Sequence, residues 1–313
     1  MHKVISIVTS TYNQGRYISE AMDSVIKQAG DFYIDYLVVD GASTDNTIDL
    51  VESTKQKIQS LPEKFSVSGI NYYAGNGINC LGVSLRYLSQ KDRGTADGVN
   101  KGINLAKGDV FGYLHSDDRY EQGAFAAVFK AFAEDKELAV VYGKGSYIDE
   151  ESECIGEYPA QDIAKEDIYV NCLISQPSGF ISMKIVREVG GLNINIQNSF
   201  DYEYWLRIYH AGYKFLYIPK VFSSTRIHPA TKTSNNKRRI HLENMAVVKH
   251  YNDMVPFAAK VDAALHFSPL GIFSQKLLWH MPWLQKQLAR LYAEVFFQAS
   301  LPLVDTIEKE IFS

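Results

Sequence analysis

The stretch FGYLHSDDRY, residues 111–120, sets two adjacent acids directly behind an apolar run. Phe111, Tyr113 and Leu114 read as the end of a buried strand over 110–118, and His115, Ser116, Asp117 and Asp118 follow at its C-terminal tip. Neighbouring carboxylates repel each other and need solvent or a counter-charge. The tip is therefore either a solvated turn, with Asp118 capping a helix from Glu121, or part of a site.

Working outward, the flanking segments alternate in type. VISIVTS (4–10) is a short β-branched run, and RYISEAMDSVIKQ (16–28) places Ile18, Ala21, Met22, Val25 and Ile26 at helical spacing. DYLVVDGAS (35–43) is strand then turn, TDNTIDLVESTKQKIQ (44–59) is helix, and NYYAG (71–75) is a third strand. TADGVNKGINLAKGD (95–109) is a short helix with Asp97 as its N-cap and Gly108 as its stop. EQGAFAAVFKAFAED (121–135) is helix and LAVVYGKG (138–145) strand. This alternation predicts an α/β fold with a mainly parallel central sheet and flanking helices. In such sheets ligands bind off the C-terminal strand ends. Three acidic turns gather there: Asp40, the Asp97 turn, and Asp117/Asp118.

Beyond residue 150 the alternation weakens. GFISMKIVREVGGLN (179–193) reads as strand and short helix, FDYEYWLRIYHAG (200–212) as helix, and KFLYIP (214–219) as a strand ended by Pro219. RIHPATKTSNNKRR (226–239) is polar and basic, a loop or flap, and the rest is helical. The expected division is a catalytic domain over 1–230 and a helical C-terminal extension over 231–313.

Bulk properties exclude several classes. With 313 residues, 46% of them apolar, a large core is affordable, and a net charge of −4 at a pI near 6.1 offers no field for nucleic acid. Cys80, Cys154 and Cys172 form no C-x-x-C and are odd in number, which suits free thiols in a cytoplasmic setting. The N-terminus runs straight into a strand, without the apolar core of a signal peptide. No G-x-G-x-x-G follows a strand, which sets aside a dehydrogenase.

Two acids at a strand tip suit Mg²⁺ or Mn²⁺, usually held by one or two carboxylates together with substrate phosphates and water. The segments IVTSTYNQGRYI, VVDGASTDNT, KDRGTADGVNKGINLAKGD, HSDD and FDYEYWLRIYHAG, in that order, resemble the family 2 glycosyltransferases of GT-A fold. The likeness covers about residues 3–230, and is greatest to the single-domain bacterial enzymes of surface polysaccharide and glycan synthesis. It implies a sugar-nucleotide site. In that reading Thr9, Ser10 and Tyr12 line a base pocket, Asp40 accepts from a uracil N3–H, and Arg93 meets the diphosphate. Asp97 meets base or ribose, Asp117 the ribose and Asp118 the metal. Turn capping by Asp40 and Asp97 is the competing assignment. Where the family often carries a second acid after Asp40, this chain has Gly41.

The resemblance further implies an inverting displacement with Asp201 as general base, although Phe200 stands where the family has an acid. Glu203 is the alternative base, Gln176 an acceptor-side contact, and His228 a metal or diphosphate ligand from the flap. Arg207 is expected to brace its helix by a salt bridge. A UDP-sugar is the favoured donor, and a glycan or lipid-linked molecule the acceptor. An inactive sugar-nucleotide-binding scaffold and a nucleotidyltransferase of related fold are the rival readings. In MPWLQKQLARLYAEVFFQASLPLV (281–304), Leu284, Leu288, Leu291 and Val295 form one stripe. It is expected either to pack on the catalytic part or a second subunit, or to lie on anionic lipid at the inner membrane face.

Overall fold

The computed structural model describes residues 3–229, 237–267, 272–273 and 280–313. In chain order the first half runs β1 (Val4–Thr11), α1 (Ile18–Ile26), β2 (Gly30–Asp40), α2 (Thr47–Gln59), β3 (Glu63–Val67), β4 (Ile70–Ala74), β5 (Cys80–Ser89), α3 (Thr95–Leu105) and β6 (Val110–His115). It continues through β7 (Arg119–Tyr120), α4 (Ala124–Glu134), β8 (Leu138–Ile148) and β9 (Cys154–Glu157). A single turn of 3₁₀ helix (Gln176–Ser178) leads into β10 (Gly179–Ser182), α5 (Met183–Val189), α6 (Phe200–His210) and β11 (Lys214–Arg226). Among the described residues the chain then continues through α7 (Lys237–Asn252), α8 (Phe257–Phe267) and α9 (Pro282–Phe312).

One eleven-stranded sheet organises the molecule, in the order β3-β4-β5-β2-β1-β6-β10-β8-β11-β7, with β9 paired to β8. β5, β2, β1 and β6 are parallel, which makes the centre of the sheet parallel as expected, and so are β8 and β11. β10 is inserted antiparallel between β6 and β8. Alternate residues of each strand face opposite layers. Ile5 and Ile7 of β1, with Ile34, Tyr36 and Val38 of β2, pack under α1, α2 and α4. Val8, Leu37 and Val39 face the other core with α3, α5 and α6. Burial on both faces is why these strands read as continuous apolar runs.

Several local expectations change. Helix α3 starts at Thr95 after Gly94, so Asp97 stands in its first turn rather than at its cap. Gly108 is not the helix stop; α3 ends at Leu105, and a Cβ on Gly108 would stand 2.6 Å from the Ser6 backbone nitrogen. Asp118 caps nothing, since α4 begins only at Ala124 after Gly123. The strand from Lys214 is not ended by Pro219 but runs to Arg226, and its register against β8 shifts around Ile218, Val221 and Ser223. Proline removes a ladder donor, and that irregularity is where its loss is accommodated. Residues 230–236 of the expected flap lie outside the described residues.

The C-terminal helices share the core of the second layer. Met245, Ala246, Val247 and Val248 of α7, Ala263 of α8, and Phe297, Val304, Ile307 and Ile311 of α9 join one apolar cluster with Phe111, Tyr142 and Trp205. Within α9 the buried seam is Gln285, Ala289, Ala293 and Phe297. The predicted stripe is rotated off it: Leu284 and Leu288 are half-buried, and Leu291 and Val295 are 80% and 72% exposed. Among the described residues no helix is long and apolar enough to cross a membrane.

Candidate active site

The strand order brings the acidic tip to one end of the sheet. β6 stops at His115, and a tight turn, closed by the Asp118 N–H on the His115 carbonyl at 3.1 Å, hands the chain to β7. Ser10 of β1 lies in register with His115. β7 pairs antiparallel with β11, Arg119 against Ser224. Continuing that register sets Arg226 opposite Asp117. The result is a cavity of about 490 Å³ walled by Ser10, Thr11 and Tyr12, by 115–118, by Ser175–Pro177, by Phe200 and Asp201, and by Arg226 and Ile240.

Arg226, absent from the sequence reading, holds the tip in place. It is 1% exposed. Its backbone N–H donates to Asp118 Oδ1 at 2.9 Å and its Nε to the Asp117 carbonyl at 2.9 Å. Nη1 donates to the Asp149 carbonyl at 2.6 Å, and Nη2 to Glu20 Oε2 at 2.6 Å. The guanidinium also lies 4.9 Å from the Tyr17 ring centroid. His228, placed two residues past the end of β11, sets Nε2 3.1 Å from Asp117 Oδ2. Burial first, then the Asp117 charge, hold the Asp118 carboxyl well above the usual carboxylate range; the Arg226 N–H and guanidinium offset only part of this.

Asp201 lines the cavity from another element, the first turn of α6. Burial pushes its carboxyl up to about 6, although the N–H groups at the helix start pull the other way. It is not the cap; Ser199 holds that position. Gln176 is fixed by its Nε2, which donates to the Tyr113 carbonyl at 2.7 Å, while its Oε1 is buried without a hydrogen-bond partner. Thr11 Oγ1, of another residue on the lining, is likewise buried and unpartnered. Buried polar atoms of this kind are normally satisfied, so the cavity is built for a polar occupant.

Of the residues named from sequence, Ser10, Tyr12, Asp117, Asp118, Gln176 and Asp201 line the cavity. Thr9, Asp40, Arg93, Asp97, Glu203 and His228 do not, and each has a local reason; His228 is engaged with Asp117, Nε2 to Oδ2 at 3.1 Å. Thr9 is buried on the sheet, with its hydroxyl 3.0 Å from Tyr36. Asp40 is fully buried and accepts from the Ser43 N–H and hydroxyl and from Ser89 Oγ at 2.6 Å, so it braces the β2 turn. Arg93 is exposed, and Asp97 accepts its backbone N–H at 3.0 Å. Glu203 is 1% exposed and turned to the far side of α6, where Arg207 grips it at 2.9 and 2.7 Å and Tyr251 donates at 2.7 Å. The salt bridge expected of Arg207 is therefore present.

A residue overlooked beside Arg93 does reach the cavity. Asp92 lines it, and a Cβ built on Gly41 would stand 3.1 Å from Asp92 Oδ2 and 3.5 Å from Tyr12. The missing side chain at Gly41 leaves room for a carboxylate delivered by the next strand over. The Tyr12 ring is 59% exposed at the mouth. Among the described residues no group of three or more His, Cys, Asp or Glu side chains is placed to hold a metal ion. What the tip offers a dication is smaller: the buried Asp118 carboxylate, with the Asp117–His228 pair beside it.

A glycosyl transferase family 2 model matches residues 6–169, just over half of the chain. Hyaluronan synthase of Pasteurella multocida is 26% identical over 246 residues, 78% of this chain but 22% of the relative, so the chain spans about a fifth of that protein's length. Among solved structures, TarS of S. aureus in complex with UDP superposes with a TM-score of 0.60 at 14% identity, over 99% of this chain and 88% of the other. The mannosyltransferase PcManGT of Pyrobaculum calidifontis, in complex with GDP-Man and Mn²⁺, gives 0.57 at 16%, over 94% and 87%. These likenesses show the GT-A fold, and the chain belongs to glycosyltransferase family 2.

Proposed function

We propose that this chain is an inverting, divalent-cation-dependent glycosyltransferase. It moves a sugar from a nucleoside-diphosphate donor, with UDP favoured, to a hydroxyl of a glycan or lipid-linked acceptor in polysaccharide synthesis. The observation that carries the reading is one cavity lined by two kinds of carboxylate: the strand-tip pair and, from the first turn of α6, a half-buried acid whose proton affinity is raised to about 6. The first kind suits a leaving diphosphate and its counter-ion; the second suits a general base working near neutral pH.

Each residue then has a task. Tyr12 offers an exposed ring for a base to stack on, and Asp92, above Gly41, is placed to accept from that base. Asp40 supports the turn beneath them. Asp118 and His228 would hold Mg²⁺ or Mn²⁺, completed by phosphate oxygens and water. Asp118 fits because a buried carboxylate of raised proton affinity gains from a cation. Arg226, the cationic side chain among the described lining residues, has its donors engaged by Glu20 and by carbonyls. When bound, the ion would stabilise charge on the departing diphosphate without a proton. Asp201 takes the proton of the attacking hydroxyl as the anomeric bond breaks, and a single displacement inverts configuration. Gln176 orients a substrate hydroxyl through its unpartnered Oε1.

The test is release of nucleoside diphosphate from a panel of sugar nucleotides, with and without Mn²⁺. Metal-dependent turnover of a uridine donor with a saccharide acceptor is the expected result. Donor binding with no turnover on any acceptor would favour a scaffold instead.

A further inference from the structure

The start of α6, which carries Asp201, is not held by its own cap. The Ser199 side chain makes no capping bond, and the first N–H groups of a helix have no partner within it. The two N–H groups that enter the helix, those of Asn198 and Ser199, instead meet a carboxylate from another element. Glu243 Oε2 accepts them at 3.0 and 3.1 Å. Its Oε1 accepts Asn198 Nδ2 at 3.2 Å and Arg239 Nε at 2.9 Å. Glu243 is fully buried. It belongs to α7, whose Ile240 lines the cavity and accepts Ser199 Oγ through its carbonyl at 3.3 Å. Farther along α7, Tyr251 donates to Glu203 of α6 at 2.7 Å. Arg239 reaches on to Glu310 of α9 at 3.3 Å.

We infer that Glu243 is a positioning residue for Asp201. It caps the base-bearing helix from a second helix, so that Glu243, itself off the cavity lining, fixes where the base stands. A carboxylate at a helix N-terminus is also favoured by the helix dipole. The strand-tip acids on the donor side are held by Arg226 of β11 rather than by Glu243. Loss of Glu243 should therefore separate transfer from donor binding. The inference rests on Asp201 being the general base.

The experiment compares Glu243→Ala, Glu243→Asp and Glu243→Gln with Asp201→Asn. Affinity for UDP with Mn²⁺ is measured without acceptor, and turnover with it. Small displacements of a reacting group cost up to about a hundredfold in rate. Glu243→Ala should bind UDP within about twofold of wild type and transfer sugar at least about tenfold more slowly. Glu243→Asp keeps the charge but withdraws it from the N–H groups; it should behave alike, and it decides the matter should the alanine variant not fold. Glu243→Gln still presents one oxygen to both N–H groups and should recover turnover to within about threefold. Folded Ala or Asp variants that transfer within about twofold of wild type, or that lose UDP binding along with transfer, overturn the inference. If Asp201→Asn itself transfers normally, the base assignment fails instead, whatever the Glu243 variants do.

Discussion

Asp201 combines burial with a helix start, and the two act against each other. Burial wins, which leaves its carboxyl near 6. A base must be ionised, so transfer is expected to fall about tenfold per pH unit below about 6 and to level off above it. The sign for stability is opposite. A carboxyl raised above its unfolded value destabilises the fold increasingly as pH rises through the interval from about 4 to about 6. Asp201→Asn should then match wild-type melting near pH 4 and exceed it above pH 6, while losing about 10² to 10⁴ in turnover. Equal melting at both pH values would show that burial does not tune this group. Asp118→Ala is expected to do the reverse: to weaken Mn²⁺-dependent UDP binding, read by the melting shift, while the fold survives. Unchanged Mn²⁺ dependence would make Asp118 structural. Asp117 and Asp118 drew notice as paired acids behind an apolar run and Asp201 through the resemblance alone, and all three line the cavity. Thr9, Asp40, Arg93, Asp97, Glu203 and His228 lie off the cavity lining for a common cause. A motif fixes the order of residues round a turn, but not which of them face the cavity. Asp92 lies one residue from Arg93 and was passed over for that reason.

At the scale of elements, the parallel strands could be read wherever both faces are apolar, as in VISIV and DYLVVD. β5 escaped because its pattern is broken by an ion pair: Arg86 donates to the fully buried Asp35 of β2 at 2.6 Å. β11 was read too short because Pro219 looks like an end, whereas its last residues are secured by β8 and β7. With that extension went Arg226, whose place opposite Asp117 follows only from a long-range pairing. The contact between β10 and α6 yields a prediction of its own. Gly179 needs no special backbone angle, yet a Cβ there would stand 2.6 Å from the six-membered ring of Trp205, which is fully buried. The indole has no space to yield, so Gly179→Ala should destabilise by about 1–3 kcal/mol in denaturant unfolding. Because Trp205 lies on the helix of Asp201, turnover should drop as well. A neutral Gly179→Ala would mean that β10 and α6 slide apart without cost.

The whole molecule is held by a core that runs across residue 230, the boundary suggested by the change in sequence pattern. The C-terminal helices, expected either to pack on the catalytic part or a second subunit or to lie on lipid, send apolar faces into the second layer. α9 shows this most directly, because its two faces make opposite forecasts. Ile307 is 3% exposed within the common core, and Leu291 is 80% exposed on the stripe that sequence periodicity had marked as the contact face. Truncating a buried isoleucine removes both its transfer energy and its packing, so Ile307→Ala should cost about 2–5 kcal/mol in denaturant unfolding. An exposed leucine loses little, and Leu291→Ala should stay within about 0.5 kcal/mol of wild type. The comparison belongs at micromolar concentration in dilute buffer without lipid, where the chain's own packing is measured. If both substitutions cost alike, the Leu291 stripe is covered in solution by a second copy, and the loss should then deepen as protein concentration rises. If neither costs anything, α9 does not contribute to the core, and the shared layer that supports α7 and α6 is not what holds the base in place.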